Sequence, residues 1–283
     1  MDFFAYVLKI FNAKMQVPRA FGLFHLSFFA LSVMLGVLLC RARPVSNEKF
    51  VKKVLLITSL VVMVLEIYKQ IVFSFTYSNG ELRFSYAWRF FPFQFCSTPM
   101  YAGLIAAAIK KTKLHIALCS FLATYSLAAG LGVMLFPQEV FTDIIGVNIQ
   151  TMVCHGSMIT VGIFLLCTGY VPINKKTVLR AMPVFLLLVF LAATLNEIVF
   201  KSGVLGGQTF NMFFISPYFK ASLPIYSDIF HRLPFPLGII GYAFLFTLGA
   251  YMVLFIVALL TPYGLKKIKF RDILTVSKRR AQL

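Results

Sequence analysis

The sequence predicts an all-α, polytopic membrane protein with about seven transmembrane helices and a short N-terminal interfacial helix. Three observations carry this. Hydrophobic residues make up 60% of the chain and charged residues only 13%, about half the charge of a soluble domain. The mean hydropathy is +0.86. The apolar residues come in runs of about 20, the length of helix that crosses a bilayer core. The 283 residues read as one integral membrane domain: an interfacial helix within 1–18, a seven-helix bundle over 21–260 and a basic cytoplasmic tail over 261–283.

The elements follow in order. Phe3, Phe4, Val7, Ile10 and Phe11 recur at helical spacing with Lys9, Asn12 and Lys14 between them. That pattern suits a helix lying in the interface, and the stretch is too short to span. With the acidic Asp2 and no small-residue cleavage site, it does not read as a cleavable signal peptide. The seven expected spans are Phe21–Cys40, Val51–Phe75, Phe90–Ile109, Leu114–Phe136, Ile149–Val171, Val178–Phe200 and Pro236–Leu260. The one long connection is Lys201–Phe235. No internal repeat is visible, which argues against an inverted-repeat transporter.

Orientation follows from the basic residues. Seven spans place Arg41, Arg43, Lys49, Lys52, Lys53, Lys110, Lys111, Lys113, Lys175, Lys176, Arg180 and the seven basic residues of the tail on one side. That side holds 18 of the 27 Lys and Arg, and the other holds 9. The richer side is read as cytoplasmic, which puts the C-terminus inside and the N-terminus outside a cell membrane. The formal net charge of +18 is then this bias plus attraction to anionic headgroups. A nucleic-acid partner is not expected.

Polar residues inside spans are costly, so each is a candidate for function. Glu66, Lys69 and Gln70 share one face of the second span. Gln94 and Cys96 fall in the outer half of the third, His155 in the outer half of the fifth, and Asn196 and Glu197 in the outer part of the sixth. The cytoplasmic halves are almost purely apolar, so a polar cavity open to the outside is expected. Cys96 and His155 each lie about six residues into their spans, roughly 9 Å deep. Pro92 suits a first-turn position, which would put Cys96 in the second turn near the positive end of the helix dipole. Pro99 would remove a backbone hydrogen bond and free the carbonyl of Phe95. The competing reading is a kinked helix with a packed cysteine.

The remaining cysteines and histidines are less suggestive. Cys40, Cys119 and Cys167 read as small buried hydrophobes. Cys154 points about 100° away from His155 around the helix. His25 could line the same cavity, His115 sits beside three lysines, and His231 lies in the long loop. No CxxC, HExxH or GxSxG occurs, so a disulfide framework, a zinc site and a serine hydrolase are unsupported, and no metal or cofactor is expected.

The aromatic-Pro-x-x-x-Cys opening of the third span, the His in QTMVCHG and the outer-loop segment GGQTFNMFFISP together resemble one family. It is the YwaF-like bacterial integral membrane family, whose animal relative, transmembrane protein 164, is a lipid acyltransferase. The resemblance implies that Cys96 matches the nucleophile, His155 the histidine and Asn211 the outer-loop asparagine. Two positions depart from the pattern. Many bacterial relatives carry His where Gln94 stands, and Tyr where Met212 follows the asparagine.

The expected activity is acyl transfer between membrane phospholipids or other acylated lipids, through a thioester on Cys96 with His155 as general base. Gln94, Asn211 or backbone N–H groups could hold the oxyanion. Glu66 could pair with Lys69 or bind a headgroup, and Glu197 is a further supporting candidate. A lipid or solute transporter or binding protein, and a membrane lipid esterase, are the rivals.

Overall fold

The computed structural model describes residues 3–42, 47–137, 140–220 and 233–260. The tail over 261–283 and His231 lie outside the described residues. Helix α1 is Phe3–Phe11, α2 Leu23–Ala42 and α3 Glu48–Ser74. Strands β1, Phe75–Ser78, and β2, Glu81–Phe84, form an antiparallel hairpin with Phe75 opposite Phe84. Helix α4 is Thr98–Ala108, α5 Lys113–Leu135, α6 Ile145–Cys167, α7 Lys175–Lys201 and α8 Phe235–Leu260.

The capping chemistry explains two starts. Asn47 accepts from the N–H groups of Lys49 and Phe50 at 2.9 and 3.3 Å, and Thr112 accepts from His115 N–H at 3.3 Å. Each satisfies a donor that the first turn leaves free. The hairpin fills the connection between the second and third expected spans. Its turn is Asn79-Gly80, both at positive φ (53° and 82°), the left-handed pair that a tight two-residue hairpin demands.

Among the described residues five helices are long and apolar enough to cross a membrane: α2, α5, α6, α7 and α8. Two of the seven expected spans differ. Helix α3 is 27 residues long but carries Glu48, Lys49, Lys52, Lys53, Glu66 and Lys69, so its hydropathy is diluted. The expected helix over Phe90–Ile109 is helical only from Thr98 to Ala108. Residues 91–97 before it are irregular backbone. Pro99 therefore stands in the first turn of α4, where a missing N–H is harmless. The Phe95 carbonyl is not left free, because it accepts from the Thr98 hydroxyl at 2.8 Å.

Helix α6 is the hub. It packs against α2, α3 and α5, and 72% of its apolar window is buried, against 17% for α2. Gly130 of α5 lets the two backbones close. A Cβ there would stand 2.8 Å from Met158 Cβ and 2.9 Å from the His155 carbonyl oxygen. Helix α5 also contains a π-turn over Leu122–Ser126, a local widening that recurs at functional sites.

An aromatic core fixes the irregular segment. The Phe95 ring centroid lies 5.0 Å from that of Phe246, 5.2 Å from Phe213, and 6.0 Å from both Phe121 and Phe185. Burying such a ring contributes roughly 1.5–3 kcal/mol. It pulls residues 91–97 down into the bundle and sets the position of the next residue, Cys96.

The N-terminal segment is clasped to the loop before α6. Met15 N–H donates to Asp143 O at 2.8 Å and Ile145 N–H to Ala13 O at 3.0 Å. The Lys14 ammonium meets the Asp143 carboxylate at 2.7 Å. That ion pair holds the Asp143 carboxyl below its ordinary range.

Candidate active site

Cys96 is half-buried just before the N-terminus of α4, and not in the second turn of a helix. His155, Cys154 and Lys69 neighbour the Cys96 side chain. His155 sits ten residues into α6, about 15 Å along the axis. The two groups thus meet because the irregular segment descends to His155, and not because two helices begin at the same level.

The His155 ring is oriented by its own helix. Its Nδ1 lies 2.8 Å from the Thr151 carbonyl oxygen. A carbonyl only accepts, so Nδ1 carries the proton and Nε2 keeps the lone pair. The acceptor is the main-chain carbonyl one turn earlier, so the identity of residue 151 carries no sequence signal for this contact. Cys154 Sγ–H donates to the Cys96 carbonyl oxygen at 3.3 Å, so the residue beside the histidine buttresses the backbone of Cys96.

Glu66, Lys69 and Gln70 form one cluster, as their spacing requires. The Glu66 carboxylate is buried and meets the Lys69 ammonium at 2.6 Å. Gln70 Nε2 donates to the same carboxylate at 3.1 Å and to the Phe90 carbonyl at 2.6 Å. Gln150 Nε2 donates to the other carboxylate oxygen at 3.1 Å. Gln150 was not a candidate from sequence. It ties α3 to α6 five residues before His155, and Gln70 ties α3 to the start of the irregular segment. A buried ion pair is tolerable only when its remaining groups are bonded in this way.

Gln94 and Asn211 are occupied elsewhere. Gln94 donates to Asn211 O at 3.0 Å and accepts from Phe213 N–H at 3.1 Å. The Asn211 side chain accepts from Ser216 N–H at 2.8 Å and donates to Phe219 O at 3.3 Å. Asn196 makes the matching pair with Met212, donating at 3.0 Å and accepting at 2.7 Å. These amides hold Phe213 at φ 59°, a conformation that a bulky residue adopts only under constraint. In this geometry Gln94 and Asn211 fasten the outer loop over the aromatic core, and both side chains are spent on backbone. Glu197 is apart from the Cys96 site: it pairs with Lys201 and accepts from the Tyr218 hydroxyl, both at 2.5 Å.

The other histidines and cysteines resolve as follows. His25 is buried and accepts from Phe21 N–H at 3.2 Å. His115 is buried between the Ala106 carbonyl, at 2.9 Å, and the Tyr170 hydroxyl, at 2.7 Å, with Cys119 Sγ 3.5 Å away. Cys167 is exposed and Cys40 half-buried, and all five cysteines are free thiols. Among the described residues no cluster of three or more His, Cys, Asp or Glu is placed to hold a metal ion.

Two recesses adjoin the site. A cavity of about 20 Å³ is lined by Cys96, Pro99, Ser59, Leu122, Ser126 and Ser157, among others. It holds a water-sized group. An open cleft is lined by Arg89, Gln94, Thr209, Asn211, Phe219 and Lys220. Arg89 and Lys220 border it, and among the described residues no carboxylate does.

The fold and site define a helical membrane protein with a thiol and an oriented imidazole meeting inside the bundle beside a buried ion pair. The family is more specific: residues 20–256 match the model of the TMEM164 family, and the chain belongs to that family. Comparison with curated proteins and with solved structures returned no match.

Proposed function

We propose that this protein is a membrane lipid acyltransferase that works through a Cys96–His155 dyad. The observation that carries the reading is the His155 tautomer. With Nδ1–H spent on Thr151 O at 2.8 Å, Nε2 is the ring nitrogen left with a lone pair, and His155 neighbours Cys96. Nε2 takes the thiol proton and the thiolate attacks an acyl ester of a membrane lipid. The leaving alcohol takes that proton, and an acyl-thioester remains on Cys96. A second lipid hydroxyl then attacks the thioester, with His155 serving as base again. Water in its place would give hydrolysis.

The Arg89–Lys220 cleft supports a phosphate-bearing headgroup near Gln94, two residues from the nucleophile. An acyl chain is far larger than the 20 Å³ cavity, so lipid entry requires the outer loop or α4 to move. We further read α3, and α4 together with residues 91–97, as two more spans. Seven spans then follow, with the N-terminus outside and the C-terminus in the cytoplasm of a cell membrane. Support comes from the buried polar residues of both segments, Glu66 and Lys69 on α3 and Ser97 and Thr98 at α4; seven spans divide the basic residues 18 to 9.

The test uses the full chain in liposomes that hold a phospholipid with a labelled acyl chain and an unlabelled lysolipid acceptor. Wild type transfers label and gives a hydroxylamine-sensitive acyl adduct on Cys96. Cys96→Ala and His155→Ala lose transfer. Unchanged transfer in both variants refutes the dyad. No transfer by wild type, with lipid binding kept in Cys96→Ala and lost in Lys69→Met, would instead favour non-covalent lipid binding.

A further inference from the structure

The proposed reaction needs a donor for the oxyanion. The N–H groups at the start of α4 are the obvious source, but they are committed. Ser97 N–H donates to Gln94 O at 2.9 Å, Thr98 N–H to the same oxygen at 3.2 Å, and Met100 N–H to Ser97 O at 3.2 Å. Pro99 has no N–H. Gln94 and Asn211 are bound to the outer-loop backbone. Ser97 Oγ is buried without a partner as well, but Ser97 does not line the cavity that Cys96 lines, so a donor facing that cavity is sought on another element.

Helix α5 supplies one. Ser126 closes the π-turn and is 1% exposed. Its Oγ is buried with no hydrogen-bond partner. A serine on a helix ordinarily satisfies its hydroxyl on the carbonyl four residues back. Thr124 does so, donating to Ser120 O at 2.7 Å, whereas Ser126 does not. The same residue lines the cavity that Cys96 lines. Of the other cavity hydroxyls, Ser157 is already used on Cys154 O at 2.7 Å. A buried hydroxyl without a partner is unfavourable by about 1–3 kcal/mol, and this one is retained in a cavity that Cys96 also lines.

We infer that the Ser126 hydroxyl is the oxyanion donor of the Cys96 site. When the thiolate sulfur adds to the ester carbonyl carbon, the C=O π pair moves onto the carbonyl oxygen. That oxygen occupies the 20 Å³ cavity and accepts from Ser126 O–H. On collapse the pair returns, the C–O ester bond breaks, and the departing alkoxide takes the proton held on His155 Nε2. The same hydroxyl serves the second half, when the acceptor alcohol adds to the thioester. The π-turn is the local device that swings Ser126 off the carbonyl of Leu122 and toward the cavity.

This inference rests on the proposed dyad, and the experiment separates the two. Acyl transfer passes through an oxyanion, but alkylation by iodoacetamide is a direct displacement at carbon and does not. The full chain in liposomes is assayed for both: transfer of labelled acyl chain, and the alkylation rate at Cys96 followed by peptide mass spectrometry. Ser126→Ala should slow transfer by roughly 10²- to 10³-fold and leave Cys96 alkylation within about twofold. Ser126→Thr should restore much of the transfer. Ser120→Ala, which removes another buried unpartnered hydroxyl outside the cavity lining, should leave both unchanged. Equal loss of transfer and alkylation in Ser126→Ala would make Ser126 a packing residue and overturn the inference, as would unchanged transfer. Retained transfer in Cys96→Ala would overturn the dyad itself, whatever Ser126 does.

Discussion

Removing the Glu66 carboxylate should be among the most damaging single changes in the helical bundle. Glu66 is buried and holds Lys69 at 2.6 Å, Gln70 at 3.1 Å and Gln150 at 3.1 Å. Glu66→Ala leaves the Lys69 ammonium, itself only 9% exposed, without its counter-ion, and Gln150 Nε2 without its acceptor. Breaking a buried pair in this way costs about 3–5 kcal/mol. Gln70 keeps the Phe90 carbonyl at 2.6 Å, so it adds little. At roughly 2–4 °C per kcal/mol for a chain of this size class, the apparent Tm should fall by about 6–20 °C. The measurement is the thermal transition of detergent-solubilised protein, read by fluorescence size exclusion. The double variant Glu66→Leu with Lys69→Met removes both charges and should recover most of the loss, because a packed apolar pair avoids the desolvation penalty. A fall below about 2 °C in Glu66→Ala, or a double variant worse than the single one, would refute the reasoning.

Gly130→Ala places a methyl 2.8 Å from Met158 Cβ and 2.9 Å from His155 O. The two helices must part, at about 1–3 kcal/mol, and both Tm and Cys96 alkylation rate should drop. Gln94→Ala removes two hydrogen bonds from the 211–213 backbone, each worth about 1 kcal/mol. With Phe213 released from φ 59°, hydrogen exchange over residues 208–218 should quicken while the helices stay protected. The Lys14–Asp143 clasp should respond to acid. Because pairing lowers the Asp143 carboxyl below its ordinary 3.8, its contribution is complete above that pH and is lost as pH falls through the lowered folded value. Hydrogen exchange of Met15 and Ile145 should rise in that window, and Asp143→Asn should show the fast exchange already at neutral pH.

Much of this architecture is legible from composition and period. Helices α2, α5, α6, α7 and α8 were expected within about four residues of their observed bounds, because a long apolar run in a membrane leaves the backbone no alternative to internal hydrogen bonds. The i, i+3, i+4 spacing of Glu66, Lys69 and Gln70 forces one face on any helix, and their contact followed. The pairing of Cys96 with His155 was suggested by a depth argument whose premises proved wrong on both sides: α6 starts four residues earlier than expected, and Cys96 precedes its helix.

The tertiary structure decided what local rules leave open. Residues 91–97 carry enough apolar side chains to pass as helix, yet their backbone is irregular and Phe95 packs into the aromatic core. Gln94 and Asn211 have the chemistry of oxyanion donors, but only the fold of the outer loop shows that their amides are already spent. Gln150 and Ser126 look ordinary in the sequence. Their meaning comes from what faces them: a carboxylate from another helix in one case, and in the other a cavity shared with the thiol and no partner at all. The sequence by itself determined the helices, the membrane environment and the residue types available for chemistry, since these depend on local period and solvent. Which of those residues meet, and which are free to act, depends on contacts between segments far apart in the chain, and only packing fixes those.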